Sequence, residues 1–256
     1  MKHLIEPIVT VFDYTGIGSS DPLWAAKKLI YTKLTRLEQG ADTWNKIHSM
    51  SNSEVQEQLQ YVRDSVRSSW EFVNFTFQIK DVTRGFTHQL VRTRTASFAQ
   101  QSQRVVNMSN FDYGAGPVIS NDENMLAEYS VCMDQIDNCY TRLVEMGAPE
   151  QDARGVLPTA VSTSIIVDLN LRTLADLTGK RDNPRAEGEY HKTFKQMVEA
   201  AVGVMPWIED FLYPPRSQTP AIDQILTKMR GDRSPVEQKL LNDAMKEIDR
   251  LKGIWG

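Results

Sequence analysis

The densest group of residues that could do chemistry is the segment of residues 84–104, RGFTHQLVRTRTASFAQQSQR. It combines four arginines with serine and threonine hydroxyls and four glutamines, and it contains no acidic residue. Arginine presents a fixed fork of donors that keeps its charge, and serine hydroxyls with loop amides complete the shell around a phosphate. Ser102-Gln103-Arg104 is suited to that role. The alternative interpretation is a solvated basic helix face whose arginines meet surface carboxylates, and spacing does not decide between the two.

A second arginine-rich group lies downstream in three short blocks. Arg154 stands in QDARGVLP, Asn170 and Arg172 stand in DLNLRTL, and Arg181 and Arg185 stand in KRDNPRAEGE. Arginines on separate elements of one chain could converge on a polyanionic ligand, whereas single arginines more often form surface ion pairs. The residue types alone leave both interpretations open.

The overall charge limits the classes of partner. The chain has 256 residues with 29 Lys and Arg against 33 Asp and Glu, a formal net charge of −4. We therefore expect no global positive field that recruits nucleic acid, and any anion site is local. The apolar runs are shorter than the roughly 20 residues that span a bilayer. With two cysteines, no C-x-x-C pair and no leader pattern in residues 1–12, the sequence predicts a soluble, reduced, cytoplasmic protein without membrane contact.

Hydrophobic periodicity predicts the strands that position these residues. Strict alternation of apolar and polar residues predicts a strand over 72–80. A β-branched apolar run predicts another at 4–12, and its proline favours a place near the sheet edge. A third apolar run predicts a strand or buried segment at 160–168.

Helical spacing alternates with these strands along the chain. Helices are predicted over 21–40, 53–68, 121–147, 171–178 and 186–204. Ser53 with Gln56 resembles a capping box, and Gly147 supplies a stop. Cys132 and Cys139 are seven positions apart, so we expect both to pack on one helical face. The pattern as a whole predicts a fold that mixes helices and strands.

The chain length favours one main domain with a small extension. After Tyr213-Pro214-Pro215 the composition turns polar, and Ser234-Pro235 begins an amphipathic pattern. We therefore expect a main domain at 1–215 and a helical C-terminal appendage at 216–256.

The stretch RTRTASFAQQSQR resembles the signature of the flavin-dependent thymidylate synthase family, an Arg-His-Arg triplet followed by seven residues and a serine. Arg92, Arg94 and Ser102 match that signature. HQLVR before it, WEFVNFTF upstream, and ARGVLP, NLRTL and KRDNPRAEGE downstream look like family blocks in family order, over roughly residues 65–215. Chance rarely produces several ordered blocks, so the chain is identified as a divergent member of the family.

The resemblance implies a fold and an activity. The fold would be a mixed α/β subunit, with an antiparallel sheet flanked by helices, that forms a homotetramer with active sites shared between subunits. The activity would be reductive methylation of dUMP to dTMP, with FAD as cofactor and with methylenetetrahydrofolate and NADPH as co-substrates. Because the flavin carries the chemistry, the protein would supply orientation and electrostatics, and we expect neither a protein nucleophile nor a metal site.

The resemblance places the dUMP contacts on two subunits. Gln89 and Arg92 would contact the nucleotide from one subunit. The other subunit would contribute a larger set, which is Gln100, Ser102, Gln103, Arg104 and Arg154. Arg181 would lie at the pyrimidine, where a guanidinium stabilises the negative charge that develops on the ring. Arg181 and Ser102 are thus the catalytic candidates, and Ser102 would bind rather than attack.

The resemblance also implies a set of flavin contacts, made through hydrogen bonds and charge pairing with the diphosphate. They are Glu71, Arg92, Thr93, Arg94, Thr95, Ser97, Asn170 and Arg172.

The sequence departs from the family at several histidines. Thr93 occupies the histidine of the triplet, and Val66, Phe72 and Arg185 also stand where the family commonly has histidine. Threonine cannot become cationic or stack on a ring, so flavin tuning or folate binding should differ. Three interpretations stay open: drift in a working synthase, altered one-carbon chemistry such as hydroxymethylation of a pyrimidine nucleotide, and a non-catalytic nucleotide-binding homologue.

Overall fold

One antiparallel sheet organises the part of the chain that the computed structural model describes, which is residues 4–36, 43–65, 67–181 and 188–213. Its four strands are ordered β1-β2-β4-β3. The strands are β1 (Ile8–Tyr14), β2 (Asn74–Thr83), β3 (Ser97–Gln100) and β4 (Ser162–Asn170). The predicted N-terminal strand is thus an edge strand, and it begins after Pro7, which has no amide hydrogen to donate to a ladder.

The two central strands have one buried face and one half-exposed face. Phe75, Phe77 and Ile79 of β2 are fully buried, as their alternation predicts. The buried residues of β4 are paired directly with them, with Phe77 opposite Val167 and Ile79 opposite Ile165. This face forms the main hydrophobic core.

Helices cover the apolar face of the sheet. The helices are α1 (Trp24–Leu34), α2 (Thr43–His48), α3 (Asn52–Asp64), α4 (Arg84–Leu90), α5 (Pro117–Ser120), α6 (Glu123–Glu145), α7 (Glu150–Ala153), α8 (Leu171–Arg181), α9 (Glu189–Val204) and α10 (Glu209–Leu212). Residues of α1, α3, α8 and α9 share one core cluster with the strands. The predicted fold class, a mixed α/β fold with an antiparallel sheet and flanking helices, is confirmed.

A second, smaller core lies around α6. Tyr140 is fully buried there and packs with residues such as Phe111, Tyr113 and Val161. The predicted stop is confirmed, since Gly147 follows α6 with a φ of +96°, a conformation that favours glycine. The prediction that both cysteines pack is wrong for Cys132, which is exposed. The helix turns other positions, including Tyr140 and Met133, toward this core.

Two local predictions are corrected by the structure. The capping box of α3 is Ser51 with Glu54, and the predicted pair Ser53 with Gln56 is wrong. The Glu54 carboxylate accepts a hydrogen bond from the Ser51 amide at 2.8 Å, and an ionised acceptor binds an amide more strongly than the glutamine oxygen would. The short helix α2 was not predicted, because six residues carry little periodicity.

The remaining predicted boundaries fall within a few residues of the observed ones. Helix α1 begins at Trp24 rather than at residue 21, because the Asp21 side chain accepts from the Leu23 amide and forms a turn first. The predicted end of this helix at Gly40 and the predicted appendage at 216–256 lie outside the described residues. In the described ranges, every helix is too short or too polar to cross a bilayer.

Candidate functional site

Helix α4 connects the end of β2 to the arginine-rich loop. The amides of its first turn are all occupied: Arg84 donates to the Val161 carbonyl at 3.0 Å, Gly85 to the Thr159 carbonyl at 2.8 Å, and Phe86 to the Thr83 hydroxyl at 3.0 Å. The start of this helix therefore offers no free amide to an anion. Any positive charge here comes from side chains.

Three arginine side chains meet beside the start of α4, and we call Arg84, Arg104 and Arg154 the arginine cluster. Arg84 Nη1 donates to the Gln101 carbonyl at 3.3 Å. Arg104 Nη2 donates to Gln151 Oε1 at 3.5 Å, and Arg154 Nε donates to the Gln151 carbonyl at 3.2 Å. Arginines from α4, from the loop after β3 and from the end of α7 are thereby brought to one place.

The arginine cluster has no counter-charge within the described residues. None of its three guanidinium groups lies within ion-pair distance of a described carboxylate. Burial, together with the nearby charge of Arg154, lowers the pKa of the Arg84 guanidinium below its ordinary value. Because arginine stays protonated at any ordinary pH, the group remains cationic and repels its neighbour. Adding an anion would relieve that repulsion.

Ser102 and Gln103 follow β3 and lie next to the cluster in sequence. The Ser102 hydroxyl accepts from the Arg104 amide at 3.2 Å, and the Ser102 carbonyl accepts from the Val106 amide at 3.2 Å. Ser102 is exposed, and its hydroxyl hydrogen is free to be donated to a ligand. The turn thus presents a hydroxyl donor two positions before Arg104 of the cluster.

Gln100 is held against the protein rather than presented to solvent. It lies on the core face of β3, and its amide nitrogen donates to the Thr87 hydroxyl at 2.8 Å. The same nitrogen lies 3.5 Å from the Thr163 hydroxyl. Gln100 therefore links α4 to the sheet, and its side-chain carbonyl oxygen remains available to accept a hydrogen bond from a ligand.

The loop after α4 carries the triplet of the signature. Gln89 is exposed on the last turn of α4, and Arg92 and Arg94 are exposed in the loop. Thr93 is half-exposed, and its amide donates to the Leu90 carbonyl at 3.0 Å. The exposed Thr95 precedes Ser97 by two positions, and Ser97 starts β3 opposite Asp168. This loop therefore lies toward the end of β4.

Predicted flavin contacts gather at that end of the sheet, and we call Glu71, Asn170 and Arg172 the cofactor end. Arg172 Nη1 forms an ion pair with Glu71 Oε1 at 2.6 Å. Asn170 Oδ1 accepts from the Thr173 amide at 2.9 Å, which caps the start of α8. Strand β4 and the segment before β2 are thereby joined at one edge.

The arginine cluster and the cofactor end lie at opposite ends of β4. The Arg84 amide is bonded to Val161, just before the strand begins, and Asn170 is its last residue. Eight steps of extended backbone span about 26 Å. The predicted residues are thus brought together as two separate groups within one chain.

A cavity of about 590 Å³ adjoins the cofactor end. Tyr31, Arg36, Glu71 and Phe72 are among the residues that line it, and Phe72 is 51% exposed. Aromatic walls suit a planar ring, and the guanidinium groups of Arg36 and Arg172 suit a diphosphate. The residues present therefore fit a flavin dinucleotide.

The predicted catalytic residue Arg181 is the last residue of α8. Val66, Arg185 and the rest of 182–187 lie outside the described residues. Arg84 was not assigned by sequence reasoning, although it lies in the acid-free arginine-rich segment. Its place four residues after the strand predicted over 72–80 was the available signal, but its neighbour Arg154 is remote in sequence.

The chain is similar to known proteins in sequence and in fold. The sequence model of the family described as "Thymidylate synthase complementing protein" matches residues 10–207. A flavin-dependent thymidylate synthase from Nitratidesulfovibrio vulgaris is 33% identical over 178 residues, 65% of this chain and 72% of the relative. One from Pyrococcus furiosus is 32% identical over 196 residues, 75% of this chain and 77% of the relative. The chain belongs to the flavin-dependent thymidylate synthase family.

Further comparisons agree with this family assignment. A flavin-dependent thymidylate synthase from Geobacter sulfurreducens is 38% identical over 144 residues, 56% of this chain and 62% of the relative. The crystal structure of a UMP/dUMP methylase from Streptomyces cacaoi, bound with 5-Br dUMP, superposes with a TM-score of 0.66. It covers 83% of this chain and 97% of the methylase at 16% identity, so this likeness shows the fold alone.

Proposed function

We propose that the chain is a cytoplasmic flavin-dependent thymidylate synthase that converts dUMP to dTMP. Methylenetetrahydrofolate would donate the one-carbon unit, and NADPH would supply the reducing equivalents. The observation that carries the proposal is the arginine cluster, three guanidinium groups without a described counter-charge beside Ser102. The superposition with a dUMP methylase and the names of the relatives support a nucleotide substrate.

The nucleotide phosphate would bind at the arginine cluster. Arg84, Arg104 and Arg154 would neutralise its charge, and the Ser102 hydroxyl would donate to one phosphate oxygen. Gln103 and the carbonyl oxygen of Gln100 lie on the same segment and would contact the sugar or base. Arg84 is an addition to the residues that the resemblance assigns.

Arg181 would act on the pyrimidine. A guanidinium that donates to a ring carbonyl would stabilise the negative charge on the pyrimidine that makes carbon 5 nucleophilic toward the one-carbon unit. If Arg181→Ala turned over dUMP at the rate of the unsubstituted protein, this role would be refuted.

The flavin would bind through the cofactor end and the triplet loop. Arg172 and Arg94 would pair with the diphosphate, while Asn170, Ser97 and Thr95 would donate hydrogen bonds. Bound FAD would supply the two electrons that bring the transferred carbon to the methyl level. The chain's own residues would orient the uracil ring and keep water from it.

We further propose a homotetramer in which two subunits build each active site. Within one chain the arginine cluster and the cofactor end are separated by the length of β4, about 26 Å at the usual strand rise, which exceeds the length of a nucleoside monophosphate. The triplet loop, with Arg92, lies toward the cofactor end. Pairing the arginine cluster of one subunit with the cofactor end of another would bring both groups to one ligand.

Product analysis tests the proposed reaction. The purified protein is incubated with FAD, NADPH, methylenetetrahydrofolate and dUMP, and the nucleotide is analysed by mass spectrometry. We expect a product heavier by one CH₂ unit. A hydroxymethyl product would show altered chemistry on the same scaffold. Binding of dUMP without any turnover would show a non-catalytic homologue.

Mixing two variants, assayed at dUMP and FAD concentrations too low to saturate either variant, tests the shared site. Arg154→Ala removes a guanidinium from the arginine cluster, and Arg172→Ala removes one from the cofactor end. If sites are shared, random mixed assemblies contain intact sites, and about a quarter of the activity returns. The control mixture of Arg104→Ala with Arg154→Ala changes the same end twice, so it should stay inactive. Equal results for both mixtures would contradict sharing.

A further inference from the structure

The first residue of α9, Glu189, binds the end of β2 through both carboxylate oxygens. Oε1 accepts from the Thr83 amide at 2.6 Å, and Oε2 accepts from the Thr83 hydroxyl at 2.5 Å. The Thr83 oxygen in turn accepts from the Phe86 amide at 3.0 Å. A hydroxyl has one hydrogen to donate, so its bond to Glu189 orients the lone pair that caps α4.

The start of α9 is fixed by further contacts. Gly188 has a φ of +95°, a conformation that favours glycine and turns the chain into the helix. The Tyr190 ring packs against the Phe86 ring of α4, with centroids 5.1 Å apart. The Thr193 hydroxyl donates to the Glu189 carbonyl at 2.8 Å. Two neighbouring residues of α9 thus hold the first turn of α4.

This contact holds the helix that carries part of the proposed nucleotide site. Helix α4 begins with Arg84 of the arginine cluster and carries Gln89 on its last turn. The carboxylate also places negative charge at the start of α4, where the helix dipole favours it.

We propose that Glu189 is a positioning residue for the nucleotide half of the site. Through Thr83 it sets the first turn of α4, and with it Arg84, relative to the start of α9. It touches neither substrate nor flavin. This inference rests on the proposed function, because it assumes that the arginine cluster binds dUMP.

The affinities for dUMP and FAD, measured together with Tm, distinguish a positioning role of Glu189 from a general effect on stability. Calorimetry measures the Kd for dUMP, flavin fluorescence measures the Kd for FAD, and a thermal scan measures Tm. We expect Glu189→Gln to raise the Kd for dUMP roughly tenfold, since charge-assisted hydrogen bonds of this strength change binding by about that factor. The Kd for FAD, measured without dUMP, should stay within about twofold, because Glu189 is bonded to Thr83 and to its own helix rather than to the cofactor end.

Thr83 provides a second variant and a rescue. Thr83→Val removes the hydroxyl and should reproduce the effect of Glu189→Gln on the Kd for dUMP. Thr83→Ser keeps the hydroxyl and should leave that Kd unchanged. The double variant Glu189→Gln/Thr83→Val should be no weaker than either single one, because both remove one shared contact. Lys192→Met is the matched control, since Lys192 lies on the next turn of α9 and pairs with Glu6 at the surface.

The outcomes are distinguishable from failure of the proposed function. If the unsubstituted protein does not bind dUMP, the proposed function fails whatever Glu189 does. If it binds dUMP and Glu189→Gln binds equally well, the positioning role is refuted. If Glu189→Gln lowers Tm and both affinities together, Glu189 is a purely structural residue, and the positioning role is refuted as well.

Discussion

The arginine cluster and the cofactor end both contain arginine, but they differ in how their charges are balanced. Arg84, Arg104 and Arg154 donate only to uncharged oxygens in the described part of the chain. At the other end Arg172 is paired with Glu71 at 2.6 Å. An anion can therefore enter the arginine cluster without displacing a partner, whereas at the cofactor end it must compete with a carboxylate.

The departures from the family follow the same division. The residues that match the signature, Arg92, Arg94 and Ser102, include the serine beside the arginine cluster. The replaced histidines at Thr93 and Phe72 lie in the triplet loop and beside the cavity at the cofactor end. In the described residues the departures therefore lie toward the cofactor end, as do the matched Arg92 and Arg94, while the matched serine adjoins the arginine cluster in sequence.

The largest effect is expected from removing one arginine of the arginine cluster. Arg154→Ala should raise the Kd for dUMP about 100-fold, because hydrogen bonds from a charged donor contribute about 1.5–3 kcal/mol and this guanidinium has no described carboxylate partner. The measurement is calorimetric titration with dUMP. Arg142→Ala, an exposed arginine on α6, is the control and should change nothing. An unchanged Kd for Arg154→Ala would mean that the phosphate binds elsewhere.

A smaller effect is expected at the cofactor end. Arg172→Ala should raise the Kd for FAD about tenfold, less than the change above because Glu71 already offsets part of the charge. Its Kd for dUMP, measured without FAD, should stay within about twofold, since the arginine cluster makes no hydrogen bond to Arg172 in the described residues. Fluorescence titration with FAD measures the first change. Lys195→Ala, which breaks an exposed pair with Glu199, serves as the control. If Arg172→Ala raised the Kd values for FAD and dUMP equally, the assignment of the two ends to different ligands would be contradicted.

Replacing Ser102 distinguishes a role in dUMP binding from a role in the reaction. Ser102→Ala should raise the Kd for dUMP about fivefold, because one hydrogen bond to a phosphate oxygen is lost. The kcat should stay within about twofold, since the serine donates a hydrogen bond and does not attack. Steady-state kinetics under saturating dUMP give the second value. A large fall in kcat would instead assign Ser102 a part in the reaction.

The smallest effect is expected from restoring a family residue. Thr93→His adds a planar, titratable ring to the triplet loop, so FAD affinity or the turnover rate should rise about threefold. Thr95→His places the same ring two positions away and should have no such effect. If Thr93→His left both quantities unchanged, the threonine would be a neutral replacement.

The strands and long helices could be predicted because their residues alternate or repeat locally. Phe75, Phe77 and Ile79 all pointed to one buried face, and Gly147 marked the end of α6. The cap of α3 was misplaced by two residues, since serines at 51 and 53 are both followed three positions later by a suitable acceptor. Such alternatives differ by one hydrogen bond, which local sequence does not rank.

The candidate site was predicted less completely than the fold. The triplet and Ser102 could be found because their spacing is a local property of one segment. Arg84 was not assigned, since its role depends on Arg154, which reaches it only after the chain has passed through α6 and α7. The ion pair of Glu71 with Arg172 joins residues 101 positions apart, so it could not be predicted from the spacing of residues in the sequence either.

The sequence by itself determined the family, the mixed fold class and the residue types of an anion site, because these depend on periodicity and on short ordered motifs. Only the tertiary structure decided which arginines are compensated and which are not. Strand pairing brings Arg84 to the start of β4 and Glu71 to its end beside Arg172, so the two groups are held apart by a ladder of hydrogen bonds. Charge balance depends on distances between remote residues, and the order of residues along the chain does not contain those distances.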